Sequence, residues 1–170
     1  MKLYATKIPV IAAELIRRLK DDGDIEVNDP KEAQLDVEAV LKEYLRLDRE
    51  MTEQAKDLME RRRLPYEQFG KIKRELCDKR DFPTGEESLL YLANQTLEAF
   101  MHSLHVEEVF GDDGEMRKKM SVVLKKHMQV DADIDREVRR RIKNLEEGTA
   151  SWEVEYGRVM ENLRQQKKLV

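Results

Sequence analysis

His102 and His105 stand three residues apart, with Glu98 one helical turn earlier and Glu107 and Glu108 just beyond. On one helix that spacing can present two imidazoles to a single divalent metal. A di-iron type of site needs a second Glu-x-x-His element, and the chain lacks one. The plainer reading is a polar pair at a helix end, where an imidazole favours the dipole. No metal and no cofactor is therefore expected, and a metal-dependent enzyme at His102 and His105 is the third of three readings. His127 falls on an apolar seam and reads as a hydrogen-bonded core residue. Asp48 and Asp131 fall on seam positions too. They read either as a buried acidic pair with a function or as N-caps where a long helix breaks.

Basic residues come in groups that could neutralise phosphates. Two arginine triplets occur, Arg61, Arg62, Arg63 and Arg139, Arg140, Arg141. Lys71, Lys73 and Arg74, followed by Lys79 and Arg80, line a third helix. Arg117, Lys118, Lys119, Lys125 and Lys126 crowd the start of a later one. Acidic residues interleave with most of them. The chain as a whole carries 32 basic and 36 acidic residues, net -4, so the overall basic excess of a typical nucleic-acid binder is missing. Solvated helix faces are the plainer reading. No phosphate-binding glycine loop, nucleophile elbow or cysteine pair occurs. Cys77 is the only cysteine, which fits a reducing cytoplasm and a small buried hydrophobe.

The elements that must position these residues are helices. Ile8, Ile11, Ala12, Leu15, Ile16 and Leu19 form one helical face, which should end near Gly23. A short extended piece, Asp24 to Val27, follows. Asp29, Pro30 and Glu32 then open a long helix as N-cap, N1 and capping-box residue. Its seam runs through Val37, Leu41, Tyr44, Asp48, Met51, Ala55 and Leu58, and Leu64-Pro65 ends it. A third helix covers about Tyr66 to Lys79. Thr84 and Glu87 form another capping box before a helix burying Leu89, Leu90, Ala93, Leu97, Phe100, Met101 and Leu104. A second long helix starts near Asp112 or Asp113, and a final one carries Trp152, Val159 and Leu163.

A shift of 83 residues lays the second long helix on the first: Asp29 on Asp112, Glu32 on Glu115, Val40-Leu41-Lys42 on Val123-Leu124-Lys125, Asp48 on Asp131. Phe69 falls on Trp152, and Leu64-Pro65 falls on Glu147-Gly148. The expected fold is all-α, an elongated tandem of two related helical units, 1–82 and 83–170, each with one long helix and shorter packing helices. Trp152, the only tryptophan, then packs a last helix back at a corner rather than marking a site.

The segments KIPVIAAELIRRLKDDGDIEV, DVEAVLKEYLR, HVEEVF, LKKHMQVD and RIKNLEEGTASWEVEY resemble the bacterial domain-of-unknown-function family five hundred and seven over essentially the whole chain. The resemblance implies a helical, cytoplasmic bacterial protein. It supplies no catalytic or binding residue. No signal peptide and no membrane span is expected. The leading expectation is a non-enzymatic macromolecule-binding or scaffold protein with an unknown protein partner, able to form a homodimer through its apolar stripes. The alternative is DNA or RNA binding through Arg61, Arg62, Arg63, Lys71, Lys73, Arg74, Arg139, Arg140 and Arg141.

Overall fold

In the computed structural model, residues 2–166 are described, apart from the side chain of Asp131. A 3-10 turn, Ala5–Lys7, leads into α1, Ile8–Asp21, with Pro9 in its first turn. β1, Ile25–Val27, precedes the long helix α2, Pro30–Arg62. Asp29 caps α2 by accepting from the backbone N–H groups of Lys31 and Glu32. Arg63 then turns left-handed at φ 52°, and the N–H of Leu64 reaches back to the carbonyl of Met59 at 3.0 Å. Those two features make a Schellman ending with arginine where glycine is usual. α3, Phe69–Lys79, runs back along α2. α4, Glu87–His102, β2, Val106–Val109, α5, Asp113–Arg141, and α6, Ala150–Gln166, follow in the same order of kinds.

The fold is mostly helical rather than purely so. β1 and β2 pair antiparallel, Ile25 opposite Val109 and Val27 opposite Val106. Strands this short carry no period-2 signal, and only the first extended piece is readable in the sequence. The link after β2 passes so close to β1 that a Cβ on Gly111 would stand 2.6 Å from Asp24 Oδ1, so only glycine fits there.

Apolar residues gather in three clusters. The first unites α1, α4 and the N-terminal parts of α2 and α5, with Ile11, Leu15, Leu41, Leu92, Phe100, Met120 and Leu124 among its members. We call it the base. Beyond it, α2 and α3 form one arm around Ala55, Met59 and Ile72. α5 and α6 form the other around Ile134, Val138, Ile142, Trp152 and Val159. Trp152 is therefore core at a corner: it stacks on Tyr156 at 4.8 Å between ring centroids. Thr149 caps α6, its hydroxyl accepting from the N–H of Trp152, and Gly148 at φ 89° makes the turn. No helix among the described residues is long and apolar enough to cross a membrane.

Three local expectations change. α2 and α5 run through positions 48 and 131 without a break, so neither aspartate caps a new segment; the heptad stripe continues on both sides and holds the helix together. The side chain of Asp131 lies outside the described residues. Thr84 and Glu87 form no capping box; instead the Ser88 hydroxyl donates to the Gly85 carbonyl at 2.6 Å. α4 buries Ser88, Leu89, Leu92, Ala93, Thr96, Leu97 and Phe100, a stripe rotated from the expected one, leaving Leu90, Met101 and Leu104 exposed. Thr96 is tolerated inside because its hydroxyl donates to the Leu92 carbonyl at 2.8 Å.

Gly157 lies in the middle of α6, and a Cβ there would meet nothing within 4 Å. Gly157→Ala is expected to stabilise the protein by about 0.5–1 kcal/mol through the entropy glycine loses in a helix. A denaturant titration checks this; an unchanged or lower midpoint at equal slope contradicts it.

Candidate functional site

α3 and α5 face each other across an open cleft of about 490 Å³ between the arms. The α3 wall presents Gly70, Lys73, Arg74 and Cys77, and the α5 wall presents Met128, Ala132, Asp135, Arg136 and Arg139. Both sets follow the three- and four-residue steps of a single helix face. Tyr44, Leu45 and Asp48 of α2 form the floor, and Lys2, Leu3, Thr84 and Gly85 complete the lining. Cys77 is buried, and burial pushes its thiol up, so it is an inert part of the wall. Tyr44 stacks on Phe82 at 5.0 Å and donates to the carbonyl of Pro83 at 3.0 Å. Burial, with Asp48 close by, pushes its hydroxyl up to about 12.

The charges divide unevenly. Among the described residues of the lining, Lys2, Lys73, Arg74, Arg136 and Arg139 are cationic, and Asp48 and Asp135 are the carboxylates. Asp48 is neither buried nor a cap: half-exposed, it pairs with Lys73 at 3.0 Å across the arm. Asp135 is the hub of the opposite wall. It pairs with Lys2 at 3.2 Å and Arg139 at 3.0 Å, and accepts from the Tyr4 hydroxyl at 3.2 Å and from the Tyr156 hydroxyl. Burial alone would raise its carboxyl, but Lys2, Tyr156 and Arg139 outweigh burial and hold it below the usual carboxylate range. Burial raises the Tyr4 and Tyr156 hydroxyls, which lie 2.8 Å apart, so both stay protonated. Arg139 also holds Glu147 at 2.7 Å and lies over the Trp152 ring at 5.3 Å. The N-terminal segment, α5 and α6 are thus tied together at one carboxylate.

The residues singled out in the sequence scatter. Lys73, Arg74 and Arg139 reach the cleft. Arg61, Arg62 and Arg63 are exposed at the end of α2, and Lys71 is exposed on α3 outside the cleft lining. Arg140 and Arg141 turn away and share Glu137, at 2.8 and 3.1 Å. The basic crowd on α5 is tied up internally: Lys119 with Asp22 and Asp24 at 3.0 and 2.7 Å, Lys125 with Glu86 at 3.2 Å, Lys126 with Glu14 at 2.5 Å. His127 also meets Glu14, at 2.5 Å, as a satisfied, largely buried histidine should.

His102 and His105 do not share a helix. α4 ends at His102, because Ser103 is extended and its hydroxyl bonds to Asp36 while accepting from the N–H of His105. Among the described residues no group of three or more His, Cys, Asp or Glu is placed to hold a metal ion. What the sequence did not single out is the pair Asp135 and Arg136 and the N-terminal Lys2 and Tyr4. The available signal was the stripe Met128, Ala132, Asp135, Arg136, Arg139, which needs the position of α3 before it means anything. No curated protein matches the chain. A family model does, over residues 1–169, and the chain belongs to that family, described as "Protein of unknown function (DUF507)".

Proposed function

We propose that this is a non-enzymatic, cytoplasmic binding protein that holds a segment of a partner protein between its two arms. The cleft carries this reading: two arms, each with its own apolar cluster, face each other across a gap with a mixed floor of Tyr44, Leu45 and Asp48 and charged walls. A mixed surface of this kind suits a protein segment, which brings both apolar and polar groups to an interface. The polar hub at Asp135 is already satisfied by its own neighbours, which supports positioning of the walls rather than chemistry on a substrate. The repeated order of elements supports reading 1–82 and 83–170 as duplicates of one unit, with each copy contributing one arm.

The test is site-specific photocrosslinking in the native cell. A photoreactive residue replaces Gly70, where an added side chain meets open space in the cleft wall. The control replaces Val122, which is 61 % exposed on α5 and lies outside the cleft lining. A discrete protein adduct is expected from position 70 and not from position 122. No adduct at 70, or the same adducts from both positions, overturns the proposal. A second copy of the chain in the adduct would make the protein its own partner. Adducts carrying DNA or RNA would favour the alternative, nucleic-acid reading. That reading draws on Arg61, Arg62, Arg63, Lys71 and Arg74, which have no carboxylate partner among the described residues.

A further inference from the structure

Resting on the reading of the cleft as a protein-binding site, the charge pattern identifies the partner segment. We infer that it is a short acidic stretch with interspersed apolar residues, its carboxylates bound by Arg74 on one wall and Arg136 on the other. Among the described residues the cleft has five cations against two carboxylates, within a chain of net charge -4. A local reversal of sign attracts an acidic segment to this place and lets the rest of the surface repel it. The internal pairs consume three of the cations: Lys73 on Asp48, Lys2 and Arg139 on Asp135. The surplus sits on the remaining two. Arg74 has no carboxylate partner among the described residues. Among the described residues the carboxylate that Arg136 pairs with is Asp133, three residues back on its own helix, at 3.6 Å with both side chains largely exposed, a contact of little worth.

Size and floor narrow the occupant further. The α5 wall runs from Met128 to Arg139, about 16 Å at the helical rise. An extended peptide covers that length in about five residues. Leu45, partly exposed on the floor, calls for an apolar side chain between the acidic ones. A nucleic-acid backbone fits worse, because it carries a charge at every step and would run against Asp48 on the floor and Asp135 in the α5 wall.

The probes are fluorescent ten-residue peptides alternating Glu with Leu or Lys with Leu, and a mixed-sequence single-stranded DNA of ten nucleotides. Binding to the full-length chain is followed by anisotropy at low and physiological salt. The Glu-Leu peptide is expected to bind the unaltered protein and to lose at least tenfold in affinity in the double variant Arg74→Glu, Arg136→Glu. The Lys-Leu peptide is expected to bind that variant more tightly than it binds the unaltered protein. Both arginines are exposed, and an unchanged melting curve establishes that the variant is folded. Equal binding of the Glu-Leu peptide by both proteins, no binding at low salt, or DNA binding tighter with the same loss overturns the inference. The position-70 crosslink separates the two levels: an adduct that survives the double reversal removes the acidic pairing and leaves the binding-protein reading standing.

Discussion

Trp152→Ala is expected to cost about 3–5 kcal/mol, the usual price of truncating a buried tryptophan. The indole is 7 % exposed and belongs to the cluster of Ile134, Val138, Ile142, Val159, Met160 and Leu163 that holds α6 on α5. Tyr156 stacks on one side of it, and the Arg139 guanidinium lies 5.3 Å from its ring centroid. Truncation therefore removes apolar contact, an aromatic stack and a cation–π contact together. The cluster is separate from the base, so the loss should be regional. Hydrogen exchange on the variant should show α6 amides losing protection first, while those of α1 and α4 keep theirs. Thermal unfolding gives the overall cost. Unaltered protection across α6 would place the energy of that arm elsewhere than in the indole. Uniform loss over the chain would show that base and arm unfold as one unit.

What could be read from the sequence is what local physics decides. The caps Asp29 and Asp112 act within three residues, and the structure shows both side chains accepting from the N–H groups ahead of them. The stripe through Val37, Leu41, Tyr44, Asp48, Met51, Ala55 and Leu58 recurs every three to four residues; five of the seven are buried, and Asp48 and Leu58 are partly so. α2 ends just ahead of Leu64-Pro65, where a proline forbids its continuation, and Gly148 makes the turn before α6, although α5 itself ends earlier, at Arg141. The cleft is a different matter. It exists because α3 and α5, from distant parts of the chain, are set opposite each other by the shared base, and no short window contains that fact. Asp135 and Asp133 look alike as letters in a charged run. Only the arrival of Lys2, Tyr4 and Tyr156 makes the first a hub, while the second stays exposed. His102 and His105 fail for a similar reason: the spacing was right, but Asp36, far back in the chain, takes the Ser103 hydroxyl at the point where α4 stops.

Asp135→Asn is expected to cost about 2–3 kcal/mol at neutral pH, in the range for losing hydrogen bonds to a charged group. The side chain is 17 % exposed, so solvent screening takes little from the contacts. Asparagine keeps an acceptor for one tyrosine hydroxyl but gives Lys2 and Arg139 no counter-charge; Arg139 retains Glu147 at 2.7 Å, while Lys2 is left over the Tyr4 and Tyr156 rings. The N-terminal strap should loosen more than the arm. The pH dependence has a definite sign. The folded protein holds the Asp135 carboxyl below its unfolded value of about 3.9, because Lys2, Tyr156 and Arg139 outweigh burial. A carboxyl depressed in this way contributes stability that is fully present above its unfolded pKa and is lost as pH falls through the folded one. The gap between the two proteins should therefore be constant from about pH 5 to 8 and close below about pH 4. Denaturant titrations of both at pH 7 and pH 3 measure it. A gap as wide at pH 3 as at pH 7 would mean that the carboxylate charge is not what ties Lys2, Tyr4 and Tyr156 to α5.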